Sequence, residues 1–138
     1  MKQRTIPYIL LTFILSFFAL NAAYAEEEGE AVSLPVYIEL SPDFIVNYGS
    51  KGSKLKYIKT RITLRTKTEL ASYIDDNMPL VRDAIVIFMS QLKDEHVKGA
   101  LAREQSRKDA LVALNETLKE ETGQEPVIDL LFASFVTQ

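Results

Sequence analysis

Acid–base or metal chemistry in this chain would have to start from very few groups. His96 is the only histidine, and there is no cysteine among the 138 residues. An imidazole titrates near neutral pH and so can serve as a general base. His96, however, stands in Asp94-Glu95-His96-Val97-Lys98, a charged run that reads as solvated surface. One histidine makes no zinc site without further ligands, and no carboxylate cluster stands at metal spacing. A Ser-His-acid triad would have to use His96, and no G-x-S-x-G elbow presents a serine. Thiol catalysis and thiolate metal sites fall with the missing cysteine, as does the lipid anchor of a lipoprotein. Asp75-Asp76, with Asp43 and Asp83 elsewhere, are the remaining acid-pair candidates, but carboxylates near helix ends usually cap helices. The expectation is a chain with no catalytic residue, no metal and no cofactor.

The stretch Tyr48-Gly-Ser-Lys-Gly-Ser-Lys54 invites a phosphate-loop reading. A Walker loop needs G-x-x-x-x-G-K-[ST] opening a helix. Here Gly49 and Gly52 are too close together and a strand follows, so the stretch reads as a hairpin turn whose glycines supply positive φ.

The elements that would position these groups follow from periodicity. Val36, Ile38 and Leu40 alternate with Tyr37 and Glu39, Ser41-Pro42-Asp43 ends the run as a turn, and Phe44 to Tyr48 forms a second short strand. Leu55 to Thr66 is a long strand, with Ile58, Thr60, Ile62 and Leu64 on a dry face and Lys59, Arg61, Thr63 and Arg65 on a wet one. A short helix spans Glu69 to Asp76. Asn77 is placed to cap the next helix, Pro79 to about Leu92, with proline in the first turn where its missing N–H costs nothing. Asp94 to Glu104, containing Gly99, reads as a connector or helical extension. Ser106-Arg-Lys-Asp109 has the form of a helix start, and Gly123 closes that helix. Val127 to Val136 returns as a strand with large residues on both faces, which places it centrally. Strands, then helices, then a returning C-terminal strand make an α+β fold, a small sheet with helices packed on one side.

The front of the chain reads as an address. Lys2 and Arg4, an apolar run from Ile6 to Leu20 and the small pair Ala23 and Ala25 are the three parts of a secretory signal peptide. The run is shorter than the roughly 20 apolar residues a comfortable membrane span requires. Cleavage after Ala25 is the leading expectation. An uncleaved anchor is the alternative, because extension through Ala25 reaches that length. Either way residues 26–138 lie outside the cytoplasm. Glu26 to Ser33 is acidic and aperiodic, a flexible leader. Removing Lys2 and Arg4 leaves 14 basic against 19 acidic residues, a formal charge of −5. That balance disfavours nucleic acid, whose binding rests on neutralising phosphates.

The Pro79 helix carries Leu80, Val81, Ala84, Ile85, Ile87, Phe88, Met89 and Leu92 around more than half its circumference. One-sided packing needs a stripe of only about 100°. The helix is therefore expected to be covered on more than one side, part of it by another subunit or partner. Pro79, Arg82, Asp83, Val86 and Met89 are the expected contact residues, with Arg82 and Asp83 at the rim.

In order along the chain, several segments resemble the FliL family of flagellar basal-body proteins. Tyr37 and Phe44-Ile-Val-Asn47 are similar to that family's opening strand pair, and Lys56-Tyr57-Ile58-Lys59 to its long strand. Pro79-Leu-Val-Arg82-Asp83 resembles its helix start, and Ala110 to Leu118, with Asn115, its later helix. Leu131 to Gln138 resembles its F-x-x-F-V-x-Q tail. The resemblance implies a domain similar to stomatin-type (SPFH-like) folds over residues 36–138, preceded by residues 1–25 as signal peptide or anchor and 26–35 as leader. It implies a non-enzymatic, partner-binding protein of the periplasm, at the outer face of the inner membrane. Its partners would be the stator proteins and the basal body, reached as an oligomeric ring that supports rotation in swimming and swarming. The front departs from the family pattern, which has a cytoplasmic tail and an uncleaved transmembrane helix. An exported ligand-binding or inhibitory module, using the same helices as its binding face, is the competing reading.

Overall fold

The computed structural model describes residues 33–49 and 55–138. The expected signal peptide or anchor, most of the acidic leader and the tip of the glycine loop lie outside the described residues. What is described belongs to the unit Ser33–Gln138.

Three antiparallel strands, β1 (Pro35–Tyr48), β2 (Lys56–Lys67) and β3 (Asp129–Thr137), form one sheet in the order β1-β2-β3. In β2 the period-two pattern holds without a break: Ile58, Thr60, Ile62, Leu64 and Thr66 are buried, while Lys59 and Arg61 are exposed. Burying a hydroxyl is costly unless it is hydrogen-bonded. Thr60 Oγ1 donates to the Ser134 carbonyl at 2.6 Å, and Thr66 Oγ1 to the Pro126 carbonyl at 2.6 Å.

The two outer strands depart from simple alternation. Ser41-Pro42-Asp43 does not end β1. Leu40 pairs with Ile62 and Phe44 with Thr60, so the three residues bulge out opposite Arg61. Proline tolerates this place because an edge strand has no need of its N–H, and Asp43 secures the bulge by accepting from Arg61 Nε at 3.0 Å. In β3, Arg61 pairs with Ser134 but Ile62 with Phe132, leaving Ala133 as an extra residue. The bulge reverses the alternation, as bulges do. Phe132 and Phe135 thus share the core side, with ring centroids 5.0 Å apart. Read across that bulge, β3 looks apolar on both faces and hence central; it is in fact an edge, and β2 is central.

The helices cover one side of the sheet. After a 3-10 turn at Thr68–Leu70 come α1 (Ala71–Asp75), α2 (Met78–Ser90), α3 (Asp94–Val97) and α4 (Ala100–Thr122). α2 buries Val81, Ile85 and Met89, and α4 buries Ser106, Ala110, Leu114 and Leu118, all at steps of four. These join Leu40, Phe44, Ile58, Ile62, Leu64 and Leu130 in a single core. The architecture is α+β, as expected.

Two helix starts differ from the expectation. The Asn77 side chain makes no cap bond to α2; its Nδ2 donates back to the Tyr73 carbonyl at 2.9 Å, closing α1. α4 begins at Ala100, not Ser106. Gly99 precedes it at φ +91°, a conformation L side chains rarely adopt. Ser106 lies inside the helix and donates to the His96 carbonyl at 2.7 Å, which relieves its burial. Gly123, at φ +73°, ends α4 where expected.

Candidate interaction surface

His96, Asp94 and Arg107 are each occupied in holding the fold. His96 Nδ1 accepts from the Lys93 N–H at 3.0 Å, and its Nε2 lies 3.7 Å from Glu95 Oε1. Together with the Ser106 bond to its carbonyl, this fixes the short α3 turn against α4. Asp94 accepts from Lys56 Nζ at 2.6 Å and from Lys98 Nζ at 3.1 Å. The Lys56 bond first, then the Lys98 bond, holds the Asp94 carboxyl below the ordinary carboxylate range. Arg107 donates to Glu104 at 2.8 Å, to Asp129, and to the Leu130 carbonyl at 2.9 Å, tying α4 to the start of β3. Those carboxylates, Glu104 first, raise its already high pKa. Asp43 belongs to Arg61, and Asp75 and Asp76 are exposed at the end of α1. Among the described residues, no group of three or more His, Asp or Glu is placed to hold a metal ion.

Asn115 does a comparable job that its sequence position does not advertise. Its Nδ2 donates to the Val127 carbonyl at 2.7 Å, and its Oδ1 accepts from the Val127 N–H at 3.0 Å. One side-chain amide thereby satisfies both backbone groups of a buried residue where the chain re-enters the sheet.

The five expected contact residues on α2 separate into two sets. Pro79, Asp83 and Val86 are exposed and fall on one stripe at steps of four and three. Met89 is 1% exposed and belongs to the subunit's own core, so it is not available to a partner. Arg82 faces inward as well. Its Nη2 donates to the Pro42 carbonyl at 2.9 Å, and its guanidinium carbon lies 4.2 Å from the centroid of the Phe44 ring. It clamps the β1 bulge to α2. The expected second cover over α2 is absent from the described residues: Val86 is 40% and Ile87 50% exposed.

Ile87 is the contact candidate missing from the expected set, although its place in the apolar wheel marked it. It lies in a groove of about 300 Å³ between α2 and α4. Asp83, Ala84, Ile87, Phe88 and Gln91 form one wall, and Ala113, Glu116, Thr117 and Glu120 the other. Asp83, Glu116 and Glu120 make no ion pair among the described residues. Apolar floor and charged rim is the composition of a protein-binding surface rather than of a reaction centre.

Among the described residues, no helix is long and apolar enough to cross a membrane. Residues 37–138 match the model of the family described as "Flagellar basal body-associated protein FliL". No curated protein matches the chain.

Proposed function

Because the chain belongs to the FliL family of flagellar basal-body-associated proteins, we propose that it is a non-enzymatic accessory of the motor that engages the stator complexes. The match over residues 37–138 carries this reading. The accessory role at the basal body comes with the family; the stator as direct partner, self-assembly into a ring and support of swimming and swarming are the proposal.

The geometry is consistent with a binding role. His96, Asp94 and Arg107 are spent on internal contacts, and a groove whose acidic rim has no ion-pair partner among the described residues lies open between α2 and α4. The domain lies in the periplasm at the outer face of the inner membrane. Residues 1–25 are removed to leave Glu26 first, and intact mass of the protein from its host tests that step; retention of residues 1–25 would make them the anchor. Partner choice is tested by co-purification from solubilised membranes. Recovery of stator proteins with the wild type is the expected result. A chain that brings down basal-body components without stator proteins would remove the stator from the account.

A further inference from the structure

The two outer surfaces of this two-layer domain carry complementary features. On the helical side, Val86 and Ile87 are exposed, with Val112 exposed one turn before Glu116 on α4. Around them stand Asp83, Glu116 and Glu120, carboxylates without a cation in the described part of the chain. On the sheet side, Ile45 is 68% and Val136 51% exposed. These two are not scattered. Ile45 pairs with Lys59 and Lys59 with Val136, so the three side chains form one row across all three strands. Their direction is set by the alternation of β2, which turns Ile58 and Thr60 toward the helices and Lys59 away. Lys59 makes no ion pair among the described residues, unlike Arg61 and Arg65 farther along the same strand face, which are held by Asp43, Glu39 and Asp129. One surface is thus an apolar row whose central cation has no ion pair among the described residues. The other is an apolar groove whose rim anions have no ion pair among the described residues.

We infer that the α2–α4 groove of one copy receives the Ile45–Lys59–Val136 row of a second copy. This rests on the reading that the chain assembles with itself, and it names the two surfaces that meet. Joining the apolar parts removes exposed apolar area from water, which favours association. The charges select the pairing and its orientation more than they add affinity. Groove and row lie on opposite sides of the domain, so the contact is head-to-tail. Every copy in the assembly has one groove and one row engaged except at the ends. Such a contact closes into a ring when its rotation permits and otherwise extends as a filament.

The test is a charge exchange in the full chain, with mass followed by sedimentation across a concentration series. Lys59→Glu and Glu116→Lys should each weaken association at least tenfold at low salt. A chain carrying both should recover in part, because the charges at positions 59 and 116 are again opposite while Asp83 and Glu120 keep their sign. An equimolar mixture of the two single variants should recover too, since their unlike surfaces alternate. All four positions of this argument are exposed, and thermal melting verifies that each variant is folded. A second measurement is independent of charge: the chain has no cysteine, so Ile87→Cys mixed with Val136→Cys should yield a disulfide between the two variants under mild oxidation. A wild type that associates while the charge variants associate equally, with no mixed disulfide, overturns this contact and leaves self-assembly standing. A wild type that stays monomeric at every concentration overturns both.

Discussion

Removing the Arg82 side chain should loosen the junction between α2 and β1. The guanidinium makes two contacts with the bulge, a hydrogen bond to the Pro42 carbonyl at 2.9 Å and a stack over Phe44 at 4.2 Å. A cation over an aromatic face contributes about 0.5–2 kcal/mol, depending on how far it is desolvated. A hydrogen bond from a charged donor contributes about 1.5–3 kcal/mol, and the lower end applies where, as at Pro42, the bond is open to water. The two share one side chain and do not simply add, so Arg82→Ala should cost about 2 kcal/mol. For a domain of this size that lowers the melting temperature by about 10 °C. Circular dichroism melting checks it. A double-mutant cycle with Phe44→Leu should show coupling of about 0.5–1 kcal/mol between the two residues. A variant that melts within 2 °C of wild type, by the roughly 4–8 °C per kcal/mol scale, or a cycle with no coupling, would refute the clamp. Reversal to glutamate would therefore disturb the fold as well as any partner, and Asp83 is the better position at which to test the surface.

Three other outcomes follow from the internal contacts. Asn115→Ala strips both backbone groups of Val127 of their partners, and a buried group left unpaired costs about 1–3 kcal/mol; urea unfolding should show a loss of about 2–4 kcal/mol, whereas a loss under 1 kcal/mol would mean that water replaces the amide. The Asp94 carboxyl is depressed below its ordinary 3.8 by Lys56 and Lys98, so its contribution is present above that pH and disappears as pH falls through the lower, folded value. Asp94→Asn should thus melt below wild type at pH 7 and converge with it in acid, once the carboxyl is protonated in the folded chain as well; parallel curves across the acid range would contradict the pairing. His96→Ala removes the acceptor for the Lys93 N–H, and should lower stability by about 1 kcal/mol, as lost helix caps do, while swimming stays normal. A motility defect in folded, normally abundant protein would give the imidazole a role beyond the α3 turn.

How legible these features were in the sequence depended on whether a pattern stayed local. β2 could be read residue by residue because it carries no extra residue of its own and one face is dry. β1 and β3 could not. Ser41-Pro42-Asp43 has the chemistry of a turn, and only the pairing of Leu40 and Phe44 with β2 turns it into a bulge. Ala133 looks like any small strand residue, yet as the extra residue it moves Phe135 to the same side as Phe132. The start of α4 was obscured by Gly99, which resembles a connector, and by Ser106, whose cap-like context is overridden once His96 offers its carbonyl. On α2, a wheel shows which residues are apolar but not which of them a distant strand will cover. Met89 is covered, Ile87 is not, and Arg82 finds its partners about 40 positions earlier, at Pro42 and Phe44. Which residues of α2 stay open at the surface is therefore decided by tertiary packing.

The claim on which the whole account stands is that this domain serves the flagellar motor. It is tested most directly by deleting the coding sequence in the native host, measuring swimming and swarming, and counting flagella on the same cells by microscopy. If the domain helps to drive the motor and not to build it, motility should fall while the number of flagella stays normal, and the wild-type chain should restore it. Unchanged swimming and swarming in the deletion strain would contradict it.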